Sequence, residues 1–138
     1  MSTFRLLNLL KLRRLQEDGV RAELARARAT ETDRRRREQR VRAVLGDSTV
    51  DASSAEAVHS IAAARASSSS MLGELETLLA QDHQAVVDAS AAYAVAKTRT
   101  TQLEKLEAQH AARTRRDDLR AEQNVLDEHA GRATGRDA

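Results

Sequence analysis

The chain contains no proline, and none of its 5 glycines falls between Gly73 and Gly131. Proline removes a helical hydrogen bond and glycine weakens a helix, so long stretches of this backbone are free to remain helical. Phe4 and Tyr93 are its only aromatic residues, which leaves few large side chains for a compact globular core. The abundant Ala, Arg, Glu and Leu are typical of long paired helices. We therefore predict an all-α protein with a single domain, residues 1–138.

The apolar residues of the amino-terminal third predict a first helix over residues 4–45, capped by Ser2 or Thr3. They recur at alternating spacings of three and four, as on a helix side that faces a partner helix. Two groups of polar residues interrupt this seam, and the second contains the run Arg34–Arg37. The seam positions are 6, 10, 13, 17, 20, 24, 27, 31, 34, 38, 41 and 45.

The stretch GDSTVDAS, residues 46–53, is the best break in the chain and predicts a hairpin turn. Gly46 suits the left-handed position after a helix, and Ser53 with Glu56 makes a capping box for the next one. We expect the second helix over residues 54–130 and a frayed tail over residues 131–138. An alternative places the turn, or a kink, at Ser67–Ser70, since a serine run is a poor helix segment.

The second helix repeats the same spacing as far as Leu103 and then loses phase. Its seam positions are 58, 61, 65, 68, 72, 75, 79, 82, 86, 89, 93, 96, 100 and 103, and a displaced seam follows at Ala108, Ala112, Leu119 and Leu126. If Leu45 faces Ser54, the first helix ends opposite Val95 and the second overhangs from Ala96. The predicted fold is an antiparallel two-helix coiled-coil hairpin with a longer, overhanging C-terminal helix.

The net charge of +2 conceals a strong segregation. Residues 1–45 carry thirteen Lys or Arg against six Asp or Glu, and residues 46–96 carry one against seven. A basic region and an acidic region of this kind attract different partners or pair with each other.

Catalysis and metal binding find no support in the residue pattern. Cysteine is absent, and no two of the four histidines have the i, i+4 spacing of a helical ligand pair. Carboxylate pairs such as Asp117 and Asp118 lie on a solvated helix without a pocket that would raise a pKa. We expect no enzyme activity, no metal, no cofactor and no small-molecule substrate.

The Arg34–Arg37 run has two interpretations. Phosphate contacts would make it a nucleic-acid site, but Asp33 and Glu38 flank it and no aromatic residue lies nearby to stack on bases. A solvated coiled-coil surface is therefore the favoured interpretation, and nucleic acid is disfavoured as a partner. The amino-terminal apolar stretch is too short to span a membrane, which leaves a cytoplasmic protein as the expectation.

Apolar residues near the predicted turn are more numerous than a one-sided seam requires. Part of the set belongs to the hairpin core, and two of its members are expected to face outward and form a docking patch with Val44. The set is Met71, Leu72, Leu75, Leu78 and Leu79.

The C-terminal third carries a family resemblance. Its residues are Leu103-Glu104-Lys105-Leu106, Arg115-Arg116, Glu122-Gln123 and Leu126-Asp127-Glu128. In this order they resemble the carboxy-terminal pattern of the FliJ family, a flagellar export chaperone and stalk component. Residues 4–17 and the overall length are also similar to that family.

The resemblance implies a hairpin similar to the central stalk of rotary ATPases, with a role in motility and chemotaxis. Implied partners are the hexameric flagellar export ATPase and its regulator, export chaperones, and the cytoplasmic domain of the export gate. The protein would then lie at the cytoplasmic face of the inner membrane. The ATPase-facing residues would be Arg115, Arg116, Leu119, Glu122, Gln123, Leu126 and Asp127. The gate-facing residues would be Val44, Leu45, Met71, Leu72 and Leu75.

Two alternatives remain at this point. One is the equivalent stalk of a virulence-type secretion system, which would have the same helical hairpin. The other is a structural homodimeric coiled coil or a nucleic-acid-binding coiled coil, which would self-associate or bind DNA with a steep salt dependence.

Overall fold

The computed structural model describes residues 3–47 and 53–135. They form two α-helices, α1 from Thr3–Asp47 and α2 from Ala55–Thr134, which pack against each other. The described residues contain no β-strand. The predicted all-α, two-helix hairpin is thus confirmed.

The chain divides into two compact units, each built from part of α1 and part of α2. The terminal unit comprises Met1–Gln16 and Ala96–Ala138, and the middle unit comprises Glu17–Val95.

The end of α1 differs from the prediction. The helix continues through Gly46 to Asp47, and no described glycine has a positive φ. The expected left-handed conformation at Gly46 is therefore wrong, because the helical backbone does not need it there. Residues 48–52 of the expected turn lie outside the described residues, and so does the candidate cap Ser2.

The start of α2 is capped one residue later than predicted. The backbone N–H of Ala57 donates to Oγ of Ser54 at 3.1 Å, which satisfies one of the unpaired donors of the first turn. The first backbone bond of the helix joins Val58 N–H to the Ser54 carbonyl, also at 3.1 Å. Ser54, and not Ser53, is therefore the N-cap.

The helix α2 is uninterrupted through Ser67–Ser70, so the alternative turn at these serines is wrong. It also includes Gly131, where the frayed tail was expected to begin, and residues 136–138 of that tail lie outside the described residues. Packing of a helix face outweighs the weak propensity of a few serines.

The seam predicted for α1 is confirmed at every position. Each of its twelve residues is buried or half-buried, and every other residue from 5 to 47 is exposed. Leu10 and Leu24 are the deepest, with 4% and 6% of their surface exposed. Polar seam residues such as Glu31 and Arg34 are half-buried along with the apolar ones.

The seam of α2 departs from the prediction at both ends. Val58 and Arg65 are exposed, whereas Leu75 is buried with 4% of its surface exposed. Beyond Leu103 the original seam continues, since Glu107 and His110 are half-buried. The expected loss of phase at Leu103 is therefore wrong, because polar residues occupy seam positions while the periodicity persists.

The register between the helices is also different. A tight turn with Leu45 opposite Ser54 would place Arg42 near Ala57. In the middle unit, however, Arg42 pairs with Glu76, with Nη2 3.2 Å from Oε1. A seam that repeats every seven residues fits several registers equally well, so charged pairs beside it have to select one.

In the terminal unit, α1 therefore covers α2 well beyond Ala96. Thr100 is buried with 4% of its surface exposed, and its hydroxyl lies 3.4 Å from the carbonyl oxygen of Arg13. Arg14 pairs with Glu104 at 3.3 Å, and half-buried residues continue to Ala112. The expected overhang from Ala96 is wrong, and α2 runs uncovered only from residue 113.

Among the described residues, no helix is long and apolar enough to cross a membrane.

Replacing Leu24 by Ala should lower the free energy of unfolding by about 2 kcal/mol, because a deeply buried leucine loses its packing. Urea denaturation followed by circular dichroism measures the change. Val87→Ala is the matched control, since 47% of Val87 is exposed, and it should shift the value by less than about 0.5 kcal/mol. Equal effects of the two substitutions would contradict the seam.

Arg34 also pairs with Asp82 across the two helices of the middle unit, with 25% and 13% of the two side chains exposed. This pair can be tested in the same way. Asp82→Ala should lower the free energy of unfolding by about 1–2 kcal/mol, because it leaves a partly buried guanidinium without its carboxylate. The double variant R34L/D82L should recover this loss, because two apolar side chains fit the seam.

The same double variant should, however, allow the helices to slide. Spin labels on cysteines introduced at the exposed positions Ala29 and Val87 report the register by pulsed electron resonance. A slip by one heptad moves a label by about 10 Å along the helix, so we expect a second distance in R34L/D82L. A single unchanged distance would show that the pair does not set the register.

Candidate partner-binding surfaces

Residues 113–134 of α2, here called the free segment, expose every side chain. They belong to the terminal unit and follow the last half-buried residue, Ala112. All seven residues expected to face an ATPase lie on it.

Two leucines stand out in the free segment. Leu119 and Leu126 have 65% and 63% of their surface exposed, and their spacing of seven places both on one side of the helix. Arg115 and Glu122, each four residues before a leucine, lie on the same side. Of the predicted displaced seam, Leu119 and Leu126 therefore form an exposed apolar stripe with charged neighbours, whereas Ala112 is half-buried in the paired part of α2.

Polar side chains of the free segment bond mainly along their own helix. Nε2 of Gln123 donates to Oδ1 of Asp127 at 3.4 Å, and Nε of Arg115 donates to the carbonyl of Ala111 at 3.3 Å. Such exposed contacts contribute little to stability, so these side chains can exchange them for a partner's groups at little cost.

The five residues expected to face the export gate differ in how deeply they are buried. Val44 and Met71 are open to solvent, with 67% and 49% of their surface exposed, whereas Leu45 and Leu72 are half-buried. Leu75 is buried and is not available as a contact, so its assignment is corrected: it belongs to the core between the helices. Of the five apolar residues near the turn, two face outward as expected, Met71 and Leu78, with 49% and 36% of their surface exposed.

Val44 and Met71 lie on the rim of one groove in the middle unit, with a volume of about 400 Å³. The groove is open and mixed in character, with arginines on the α1 side and small or apolar residues on the α2 side. It is lined by Arg37, Arg40, Val41, Val44, Ser68 and Met71.

The Arg34–Arg37 run divides into two kinds of residue. Arg34 makes a two-pronged contact with the Asp82 carboxylate through Nε and Nη2, and only 25% and 13% of the two side chains are exposed. Arg35 pairs with Glu31 at 2.7 Å. Arg36 and Arg37 have no acidic partner in the described part of the chain, so only these two are open to outside contacts.

A regular set of arginines was missed in the sequence, although its spacing of seven is visible there. These residues lie immediately beside the seam of α1. Four of the five, all except Arg28, pair with acidic residues of α1 or α2 within their unit. Arg42, for example, contacts both Glu38, at 2.6 Å, and Glu76. The set is Arg14, Arg21, Arg28, Arg35 and Arg42.

Arg21 has an additional partner in Tyr93. Its guanidinium carbon lies 5.6 Å from the centre of the Tyr93 ring, and Nη2 is 3.4 Å from the hydroxyl oxygen. The hydrogen bond to Tyr93, followed by the charges of Glu17 and Asp18, raises the pKa of Arg21 above its usual range. This contact joins α1 to α2 within the middle unit.

Metal-ligating side chains do not cluster in the described residues. His83 lies 3.4 Å from Glu31 in the middle unit, with 68% of its side chain exposed. The other histidines lie elsewhere along α2, in keeping with their spacing in the sequence.

Comparison with known proteins gives one family. The family model described as "FliJ: Flagellar FliJ protein" matches residues 1–138. No curated protein and no solved structure matches the chain. The family is a non-catalytic component of flagellar export, and its match spans the paired helices as well as the free segment. The chain therefore belongs to the FliJ family.

Proposed function

We propose that this protein is the stalk of the flagellar export ATPase ring and that it connects the ring to the export gate. The observation that carries the proposal is the free segment, a single exposed helix that bears two leucines seven residues apart. An apolar stripe on a helix without a covering helix is typical of a binding surface.

The leucines would supply the contact energy. Leu119 and Leu126 retain almost two thirds of their surface in water, and covering such a side chain stabilises a complex by about 1–2 kcal/mol. Arg115 and Arg116 precede them in the segment, while Glu122 and Asp127 follow, so charges of both signs flank the stripe. Charges at the rim of a contact mainly set orientation and the rate of encounter.

The dimensions of the free segment suit a ring's axial channel. Its 22 residues extend for roughly 33 Å at about 1.5 Å per residue, with a diameter of about 10–12 Å including side chains. A single helix without a partner of its own is also narrow enough to turn within a ring while it touches successive subunits.

The paired part of the terminal unit would hold the base of this helix. Leu10 and Thr100 are buried there, and the Arg14–Glu104 pair lies beside them. Because α2 is packed against α1 up to Ala112, the free segment continues directly from a paired helix and not from a turn. Force applied to the segment would therefore be transmitted to the paired helices.

The gate would dock on the middle unit, at Val44 and Met71. Both are exposed on the same groove, and half-buried Leu45 and Leu72 lie next to them in the chain. The two proposed surfaces belong to different units.

Binding of the ATPase regulator and of export chaperones, and a location at the cytoplasmic face of the inner membrane, belong to the proposal on the strength of family membership. The flagellar description of the family favours the flagellar system over a virulence-type system.

The double variant L119E/L126E should bind the export ATPase about a hundredfold more weakly, since two carboxylates placed in an apolar contact cost about 3 kcal/mol. Its helicity should be unchanged, because both leucines are exposed. Binding of the purified full-length chain to the ATPase hexamer can be measured by biolayer interferometry, with circular dichroism on the same samples.

The matched control is V87E/V95E, which changes two exposed valines of α2 in the middle unit, 47% and 51% exposed. It should bind the ATPase as the unaltered chain does. Full binding by L119E/L126E would refute the stalk proposal. Loss of helicity in that variant would instead mean that the two leucines are packed.

A further inference from the structure

Three arginines on α1 form no ion pair within the described residues. Arg36, Arg37 and Arg40 are exposed, and none of them has an acidic partner in residues 3–47 or 53–135. Arg35 and Arg42, which lie on the same helix, are both paired. These three arginines are here called the basic patch.

The basic patch forms one continuous surface. Positions three and four apart share a helix side, so Arg36 and Arg37 both neighbour Arg40. All three line a second groove, of about 430 Å³, together with Thr30, Asp33 and Arg34. Asp33 is the one carboxylate among these lining residues, and it leaves the patch with an excess of positive charge.

The residues of α2 that line the adjoining groove do not neutralise this charge. They are Ser68 and Met71, neither of which is acidic, and the nearby Glu76 already pairs with Arg42. The small side chains of residues 67–70 also leave space between the helices, and the groove of Arg37, Arg40, Val44 and Met71 occupies that space. The serine run, which weakens the helix intrinsically, thereby shapes a surface that is basic on one side and apolar on the other.

Nucleic acid fits this surface poorly. A phosphate backbone would match the arginines but would leave Val44 and Met71 without a contact, and no aromatic side chain stands nearby to stack on bases. A protein segment with carboxylates and an apolar side chain fits both parts of the surface. Its carboxylates would pair with the arginine guanidinium groups, and its apolar side chain would be buried against Val44 and Met71.

We propose that the basic patch and the adjoining groove dock an acidic segment of the export gate, with carboxylates on Arg36, Arg37 and Arg40 and a large apolar side chain between Val44 and Met71. The inference rests on the gate docking proposed above and adds the chemistry of the partner. The unpaired charge would also steer this segment towards the middle unit before contact.

The test measures binding of the full-length chain to the purified cytoplasmic domain of the export gate at low and at high salt. The double variant R37E/R40E should weaken binding by at least about tenfold, since like charges would then face each other. R26E/R28E is the matched control, because Arg26 and Arg28 are exposed residues of the same helix away from the groove. It should leave binding within about twofold.

Binding that falls at high salt and in R37E/R40E, but not in the control, would support the inference. Binding by the unaltered chain that responds neither to salt nor to R37E/R40E would overturn it while the gate proposal stands. Equal losses in both variants would also overturn it, as a general effect of charge. Absence of any binding by the unaltered chain would refute gate docking itself.

A parallel titration with duplex DNA tests whether nucleic acid, and not the gate segment, binds the basic patch. DNA that binds more tightly than the gate domain, with the same dependence on Arg37 and Arg40, would overturn the inference in favour of nucleic acid. Weak DNA binding with equal losses in R37E/R40E and R26E/R28E would support it.

Discussion

The contact between Arg34 and Asp82 resolves an ambiguity that the rest of the hairpin leaves open. A seam that repeats every seven residues lets two helices pack in several registers with similar burial of leucine and alanine. A guanidinium and a carboxylate that are both mostly buried tolerate only the register in which they meet. The pair therefore contributes less to the free energy of unfolding than to the selection of one register. The Arg42–Glu76 and Arg21–Tyr93 contacts of the middle unit are consistent with the same register.

Register has a direct consequence for the candidate sites. In the terminal unit, the register seen in the Arg14–Glu104 pair decides how far α1 covers α2, and so where the free segment begins: at residue 113 instead of 96. In the middle unit, the phase of the α2 seam decides which apolar residues near the serine run face inward. Leu75 is core, whereas Val44 and Met71 are on the surface beside arginines that have no acidic partner among the described residues. Two surfaces of different chemistry result, an apolar stripe flanked by mixed charge on α2 and a basic patch with an apolar groove in the middle unit.

Much of this structure can be predicted from the sequence, and the failures have physical causes. Absence of proline and the alternation of three and four predict both helices and every seam residue of α1, because periodicity depends only on local geometry. Register is non-local, so a tight turn at residues 46–53 predicts the overhang in the wrong place. Leu75 lies on the predicted seam of α2, and its burial there rules it out as a gate contact. The sequence predicts Ser53 as the N-cap in place of Ser54, because two adjacent serines offer the same hydroxyl group. The arginines spaced by seven, from Arg14 to Arg42, were the available signal for register, since they mark which flank of α1 faces the carboxylates of α2.

Hydrogen exchange of the full-length chain, alone and with the assembled export ATPase, tests most directly whether the free segment enters the ring. In the isolated chain, amides of residues 113–134 should exchange much faster than those around Leu24 and Leu75, because no second helix covers them. Addition of the ATPase should slow exchange in residues 113–134 and leave the middle unit unchanged. Unaltered exchange in the free segment, or protection confined to the paired helices, would contradict a stalk that binds through α2.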